Sequence, residues 1–330
     1  MTTRSGPVAD LLARRPTKLL GRSVAGRRAK RGITGIARST RFPVRAASAP
    51  KDIEVRRPPK RTGTNFPTDW ARTVPARVAR VTIIETLMRP AIAALARPER
   101  TNADRLGDVD GPIIFVANHH SHVDTPLLLT SIPLPWRHEI TVGAASDYFF
   151  GTMVTGALSA LAIGAIPIER SKIGRGSADL AAGLITDGWS LLIYPEGGRS
   201  KDGWGQPFRG GAAYLSLRCD VPIVPVYVSG TGHILRKGSA RPHPSNTVVN
   251  FGRPIWPDPG EKSRRYNERI EVAVAELGDE AGSNWWEAKR RRYSGETPGL
   301  GGPSVGSWRR AWALGDRSAR RARTRRWPEI

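Results

Sequence analysis

Two side chains able to exchange a proton stand five positions apart, His119 and Asp124, in the run His119-His120-Ser121-His122-Val123-Asp124. A histidine takes a proton from a hydroxyl near neutral pH. A carboxylate held on its other ring nitrogen fixes the tautomer and stabilises the imidazolium. Such a pair needs no serine or cysteine nucleophile when the substrate brings the hydroxyl. Alone, the spacing also suits a plain structural use, with Asp124 capping a helix and His119 filling a turn. Other stretches add to the first reading. Gly164 to Arg170 ends on a cation. Tyr194-Pro195-Glu196-Gly197-Gly198-Arg199-Ser200 carries a carboxylate, two glycines, a cation and a hydroxyl, and Phe208-Arg209-Gly210-Gly211 follows. Glycines let a ligand approach the backbone, and arginines offer paired donors to phosphate. Together these residues read as a phosphate cradle beside a His–Asp base.

The elements around them must hold strand ends in place. Pro112 to Ala117 is an unbroken apolar run that predicts a buried strand, with Asn118 at its end. Thr125-Pro126 and the leucines after it predict a helix start. The pair therefore sits on a strand-to-helix turn, where ligand-facing residues of α/β folds concentrate. Further strands are expected near 139–144, 163–168, 189–195, 221–228 and 247–251, and helices near 150–161, 177–187, 210–218 and 263–277. This alternation predicts an α/β fold, with a mostly parallel central sheet flanked by helices on both faces. Residues 75–97 carry Val78, Val81, Ile84, Leu87, Met88, Ile92 and Leu95 at helical spacing, which predicts an amphipathic helix broken at Pro90. It either packs on the domain or lies in a membrane interface. Residues 148–168 bear no charge over about the length of a membrane span. Their glycines, hydroxyls and Pro167 divide them into a helix and a strand instead.

The chain has 330 residues and a formal net charge of +23. Residues 1–63 hold 17 Lys/Arg against 3 Asp/Glu, residues 289–330 hold 12 against 3, and the body between them holds 23 of each. The charge thus belongs to two tails, which suit a polyanion such as nucleic acid or an anionic membrane face. No nucleic-acid recognition motif accompanies it, and the neutral body lacks the basic face such a domain presents. Trp285, Trp286, Trp308, Trp312 and Trp327 lie among arginines, which fits an interface belt. One cysteine, Cys219, excludes an internal disulfide and suits a reducing compartment. No secretory signal is visible. The expected organisation is a disordered basic arm (1–63), an amphipathic helical lead-in (64–110), a catalytic domain (111–280) and a basic Trp/Arg-rich tail (281–330).

Over roughly residues 80–255 the chain resembles the glycerophosphate and lysophosphatidic acid acyltransferases. Four blocks carry the likeness, in order: Asn118-His119-x-Ser121-x-x-Asp124, Ile168-Glu169-Arg170, Pro195-Glu196-Gly197-Gly198-Arg199-Ser200 and Val221-Pro222-Ile223-Val224-Pro225-Val226. The resemblance implies that His119 is the general base and Asp124 orients it. It implies that Arg170, Glu196, Gly197, Gly198, Arg199, Ser200 and Arg209 hold the acceptor. The reaction implied is acyl transfer from acyl-CoA or acyl-carrier protein to a lysophospholipid, most simply 1-acylglycerol-3-phosphate, with no metal and no cofactor beyond the acyl-thioester. Gly198 stands where the family commonly has Thr or Ser, and Arg209 where it often has Lys. Arg209 would add a phosphate contact. Glu169, directly before Arg170, either pairs with that arginine or faces solvent, and with Gly198 it leaves glycerol 3-phosphate or a glycolipid hydroxyl open as acceptors. A catalytically idle adaptor, binding membrane or nucleic acid through its tails, is the reading from another class. The intact His119/Asp124 pair argues against it. The expected location is peripheral, on the cytoplasmic face of a membrane.

Overall fold

The computed structural model describes residues 62–310, apart from 170–174, 201, 236–240, 304, 307 and 308. The predicted disordered arm, the end of the tail and Arg170 thus fall outside the described residues, Thr62 and Gly63 of the arm excepted. In chain order the elements are α1 (Val74–Thr82), a π-helical segment (Ile83–Met88), α2 (Arg89–Ala96), β1 (Pro98–Thr101), β2 (Ile114–Ala117), α3 (Asp124–Ser131), β3 (Ile140–Ala145), α4 (Met153–Ile163), β4 (Ala165–Ile168), α5 (Arg175–Thr186), β5 (Ser190–Ile193), α6 (Gly211–Cys219), β6 (Ile223–Ser229), β7 (Thr247–Phe251), α7 (Ser263–Gly282) and α8 (Trp285–Tyr293). The sheet runs β1-β7-β6-β2-β5-β3-β4. All its pairings are parallel except β6 with β7. This is the mostly parallel α/β sheet that the alternation predicts.

β2 lies at the centre of the sheet, between β5 and β6. Ile113, Phe115 and Ala117 join one core with Leu127 and Leu128 of α3. Ile114 and Val116 join the opposite core with Ala213 of α6 and with Tyr266 and Ile270 of α7. A strand covered on both faces has no polar side to show, so its sequence is apolar without alternation. Because β2 and β5 are parallel neighbours, the turn after β2 and the block after β5 emerge at the same edge. The fold thus brings residues 118–124 and 194–200 together.

Helix 74–96 is continuous past Pro90. A proline inside a helix removes a donor and crowds the carbonyl four residues back. The π-helical widening at Ile83–Met88 takes up that misfit just before it. The buried face of this helix differs from the expected one. Ala76, Arg80, Ile84, Ile92 and Ala96 are buried, whereas Val74, Val78 and Leu87 are exposed. Arg80 is drawn inward by the C-terminal end of α4, whose last carbonyls lack helical partners. Its guanidinium donates to Leu161 O at 2.9 Å, Ala160 O at 3.0 Å and Ala71 O at 2.6 Å. Burial, then the nearby Arg72 and Arg77, bring its pKa down to about 10, so it stays charged.

The charge-free stretch divides into α4 and β4, as predicted, and no helix among the described residues is long and apolar enough to cross a membrane. Two elements depart from expectation. The lead-in is not helical throughout, because Pro98–Thr101 forms the edge strand β1 beside β7. The tail begins with a regular helix, α8, which Asn284 caps by accepting from the Glu287 amide at 2.9 Å.

Candidate active site

The turn after β2 is fixed before any catalytic side chain is considered. Asn118 is fully buried, and its side-chain amide continues the sheet ladder beyond the strand. Its Nδ2 donates to Val228 O at 2.8 Å, and its Oδ1 accepts from the Val228 amide at 2.7 Å. The next residue, His119, is held through its backbone. Its amide donates to Glu196 Oε1 at 2.8 Å, and its carbonyl accepts from the Ser200 amide at 2.9 Å. His119 is therefore pinned to β6 on one side, through Asn118, and to the block after β5 on the other.

Asp124, the first residue of α3, is wholly buried. Its Oδ2 receives His119 Nδ1 at 2.8 Å, the His120 amide at 2.7 Å and the Ser121 amide at 2.8 Å. Burial alone would raise its pKa. The bond and charge of His119, the Ser121 amide and the Thr231 hydroxyl outweigh burial and hold the carboxyl below its usual range. Asp124 is thus an anion, and it faces Nδ1 of His119. Asp124 does not cap α3, which has no side-chain cap bond; its Oδ2 instead ties down the turn before the helix together with the imidazole.

Tyr194 covers the imidazole. The two rings stack with centroids 4.2 Å apart and planes inclined by 21°. The phenol shares a hydrogen bond with Thr125 Oγ1 at 3.1 Å. Burial, then the charge of Asp124, push the Tyr194 pKa well above its ordinary value, with the Thr125 bond opposing. Tyr194 therefore acts as a neutral plate that limits how the base can rotate.

Glu196 is 2% exposed, and both its oxygens are committed to backbone amides. Oε1 serves His119, and Oε2 accepts from Gln206 at 2.9 Å. Burial raises its pKa to about 7, against the pull of these two amides and with the help of Asp124 and Glu271. Its geometry is that of a residue that fixes the backbone of His119 and Gln206. Gly197 has φ +69°, which calls for glycine, and the Arg209 guanidinium stands 2.9 Å from where a Cβ would be. Arg209 thereby lies over the Gly197 backbone with its side chain exposed. The carbonyls of Gly198 and Arg199 accept from Gln206 Nε2 at 3.5 and 3.3 Å. Ser200 is buried, and its hydroxyl accepts from the Gly203 amide at 2.8 Å.

The structure thus unites His119, Asp124, Glu196, Gly197, Gly198, Arg199, Ser200 and Arg209. His122 stacks on Tyr148 at 5.3 Å, to one side of the pair. The positioning roles of Asn118, Tyr194 and Gln206 emerge only in three dimensions. Asn118 and Tyr194 do stand within or beside the motif blocks, whereas nothing in the sequence marks Gln206.

An acyltransferase family model matches residues 80–229. A 1-acyl-sn-glycerol-3-phosphate acyltransferase of Limnanthes douglasii is 34% identical over 148 residues, which are 44% of this chain and 50% of that protein. Another, of Cocos nucifera, is 32% identical over 170 residues, 49% of this chain and 51% of that protein. The chain thus spans about half the length of these relatives. The crystal structure of the 1-acyl-sn-glycerophosphate acyltransferase PlsC from Thermotoga maritima superposes with a TM-score of 0.51 at 22% identity. The superposition covers 62% of this chain and 80% of that one, a likeness of fold. The matched stretch, residues 80–229, holds both His119 and the Glu196 block, and over it the chain is similar to the acyltransferase family and to these 1-acyl-sn-glycerol-3-phosphate acyltransferases.

Proposed function

We propose that this protein transfers a fatty acyl group from an acyl-thioester to the hydroxyl of a lysophospholipid, with 1-acylglycerol-3-phosphate as acceptor and phosphatidic acid as product. The observation that carries this reading is the 2.8 Å bond between His119 Nδ1 and a buried, ionised Asp124. It prepares Nε2 as a base without supplying a protein nucleophile. The printed names of the relatives support the substrate class.

In the proposed mechanism the acceptor hydroxyl attacks the thioester carbonyl while His119 Nε2 takes its proton. A tetrahedral intermediate forms and the C–S bond breaks. The imidazolium then returns the proton to the departing thiolate, giving ester and free thiol. Asp124 stabilises the imidazolium between these steps. Arg199 and Arg209, with Arg170, offer the cationic donors a phosphate headgroup requires. The acyl-thioester, from CoA or acyl-carrier protein, is the only other reactant, and no metal or further cofactor takes part.

The decisive test is transfer from one labelled acyl-CoA to a panel of 1-acylglycerol-3-phosphate, glycerol 3-phosphate and a glycolipid alcohol. Transfer chiefly to the first is the expected outcome. Preference for either of the others reassigns the acceptor, and transfer to none refutes the reading.

The proposed location is peripheral, on the cytoplasmic face of an anionic membrane. Val74, Val78 and Leu87 along helix 74–96, Met153, Val154 and Leu158 on α4, and Trp285 and Trp286 on α8 are all exposed. Apolar side chains next to basic tails suit an interface. High salt with alkaline washing is expected to release the protein from membranes, and retention after both would overturn the peripheral assignment.

A further inference from the structure

The loop that follows the Glu196 block is held from outside by the far end of the chain. Trp204 is 6% exposed although it lies in a loop. Its indole Nε1–H donates to Arg310 O at 3.0 Å. Its ring lies against the α-carbon of Gly302, which has φ +67° and no room for a Cβ. The Gly205 amide donates to Leu300 O at 2.9 Å. Arg310 spreads its guanidinium over Asp202 Oδ2 at 2.8 Å, Pro303 O at 3.0 Å and Gly301 O at 3.0 Å. The other Asp202 oxygen accepts from the Trp204 amide at 3.2 Å.

The residues between these anchors reach the other way, into the block. The Gly203 amide holds Ser200 Oγ at 2.8 Å, and the Gln206 amide holds Glu196 Oε2 at 2.9 Å. Gln206 also gathers the carbonyls of Gly198 and Arg199. From 202 to 206, then, Asp202, Trp204 and Gly205 are tied to Leu300, Gly302 and Arg310, and Gly203 and Gln206 are tied to the cradle. The matched acyltransferase stretch ends at residue 229, so the brace comes from a part of the chain outside it.

We propose that Leu300 to Pro303, together with Arg310, form a strap that sets the acceptor cradle, with Asp202, Trp204 and Arg310 as positioning residues for the acceptor. This rests on the acyl-transfer reading of the site. The strap's contacts run to 196–200. Glu196 and Ser200 also hold the His119 backbone, but the imidazole is oriented by Asp124 and the turn is clamped to β6 by Asn118 without the strap, so its larger effect falls on the acceptor.

The test uses the full-length chain, acyl-CoA and a soluble short-chain 1-acylglycerol-3-phosphate. Arg310→Ala and Gly302→Ala should each raise the acceptor KM about tenfold, with kcat and donor KM within about threefold of wild type. Asp202→Ala should do the same, and adding Arg310→Ala to it should change little more, since the two act through one contact. Trp204→Phe keeps the ring against Gly302 and should fall between wild type and Trp204→Ala. An unchanged acceptor KM overturns the strap. So does a fall in kcat and melting temperature in parallel with a rise in both KM values, which would mark a merely structural contact. If wild type transfers no acyl group at all, the reading of the site fails first, and the strap fails with it.

Discussion

Replacing His119 with alanine should lower acyl transfer by about three orders of magnitude, within the range a positioned general base contributes. The substitution removes Nε2 and leaves the rest of the turn anchored. The backbone bonds of residue 119 to Glu196 and Ser200 do not involve the ring, and Asn118 continues to clamp the turn to β6. Asp124 loses one of its three donors on Oδ2 but keeps the His120 and Ser121 amides. The cost to stability is therefore about 1–3 kcal/mol, the usual range for one broken buried hydrogen bond. Turnover should be followed beside thermal melting. A variant that folds and still turns over at more than about a tenth of the wild-type rate would sink the mechanism.

Glu196→Gln should produce the second largest loss, by a different route. The carboxylate accepts from two amide donors at once, whereas a carboxamide offers one acceptor and one donor. Either His119 or Gln206 then faces an N–H group. Leaving a buried donor unmatched costs about 1–3 kcal/mol. Shifting the base by about 1 Å costs roughly a hundredfold in rate. The pH dependence identifies the cause. The folded carboxyl titrates at about 7, against an ordinary value of 4.5, chiefly because it is buried. The folded state therefore binds this proton more tightly than the unfolded state does. Its contribution to stability is complete below about pH 4.5 and is lost as pH rises to about 7. The glutamine variant has no such loss. In urea unfolding its deficit should be greatest near pH 4.5 and shrink towards pH 8, by a change on the order of 3 kcal/mol. Asp124 has the opposite sign, since its lowered pKa stabilises the fold above the unfolded value and is lost on acidification. It is present in both proteins and cancels in the comparison. An equal deficit at both ends of the range would mean that burial does not govern Glu196.

The strand–turn–helix bearing the base is legible in the sequence because its signals are local. An apolar run, a polar turn and a proline in the first helical turn all lie within about fifteen consecutive residues. The Glu196 block is legible for the same reason. What escapes is whatever depends on which strands are neighbours. Asn118 looks like a turn residue until β6 is placed beside β2, and only then does its side chain act as an extra rung of the ladder. Arg80 belongs, by type, on the wet face of its helix. The open carbonyls of α4 draw it inside, and Val74 and Val78 before it are turned outward. β1 has the sequence Pro-Glu-Arg-Thr, with no apolar alternation, because an edge strand of four residues buries little. The substrate-facing meaning of Glu196 was read from its block, yet in three dimensions both oxygens turn towards the protein's own backbone.

The tyrosine stacked on the base also makes the site observable. An aromatic plate 4.2 Å from the imidazole places the His119 ring protons in its shielding cone. Among the other five histidines, His122 also stacks on a tyrosine, and a His122→Asn variant separates its magnetic resonance signals from those of His119. The ionisation of one chemical group can then be followed in the intact protein, without substrate and without turnover. The same signals would register an acceptor entering the cradle, so binding and proton affinity become two readings of a single spectrum.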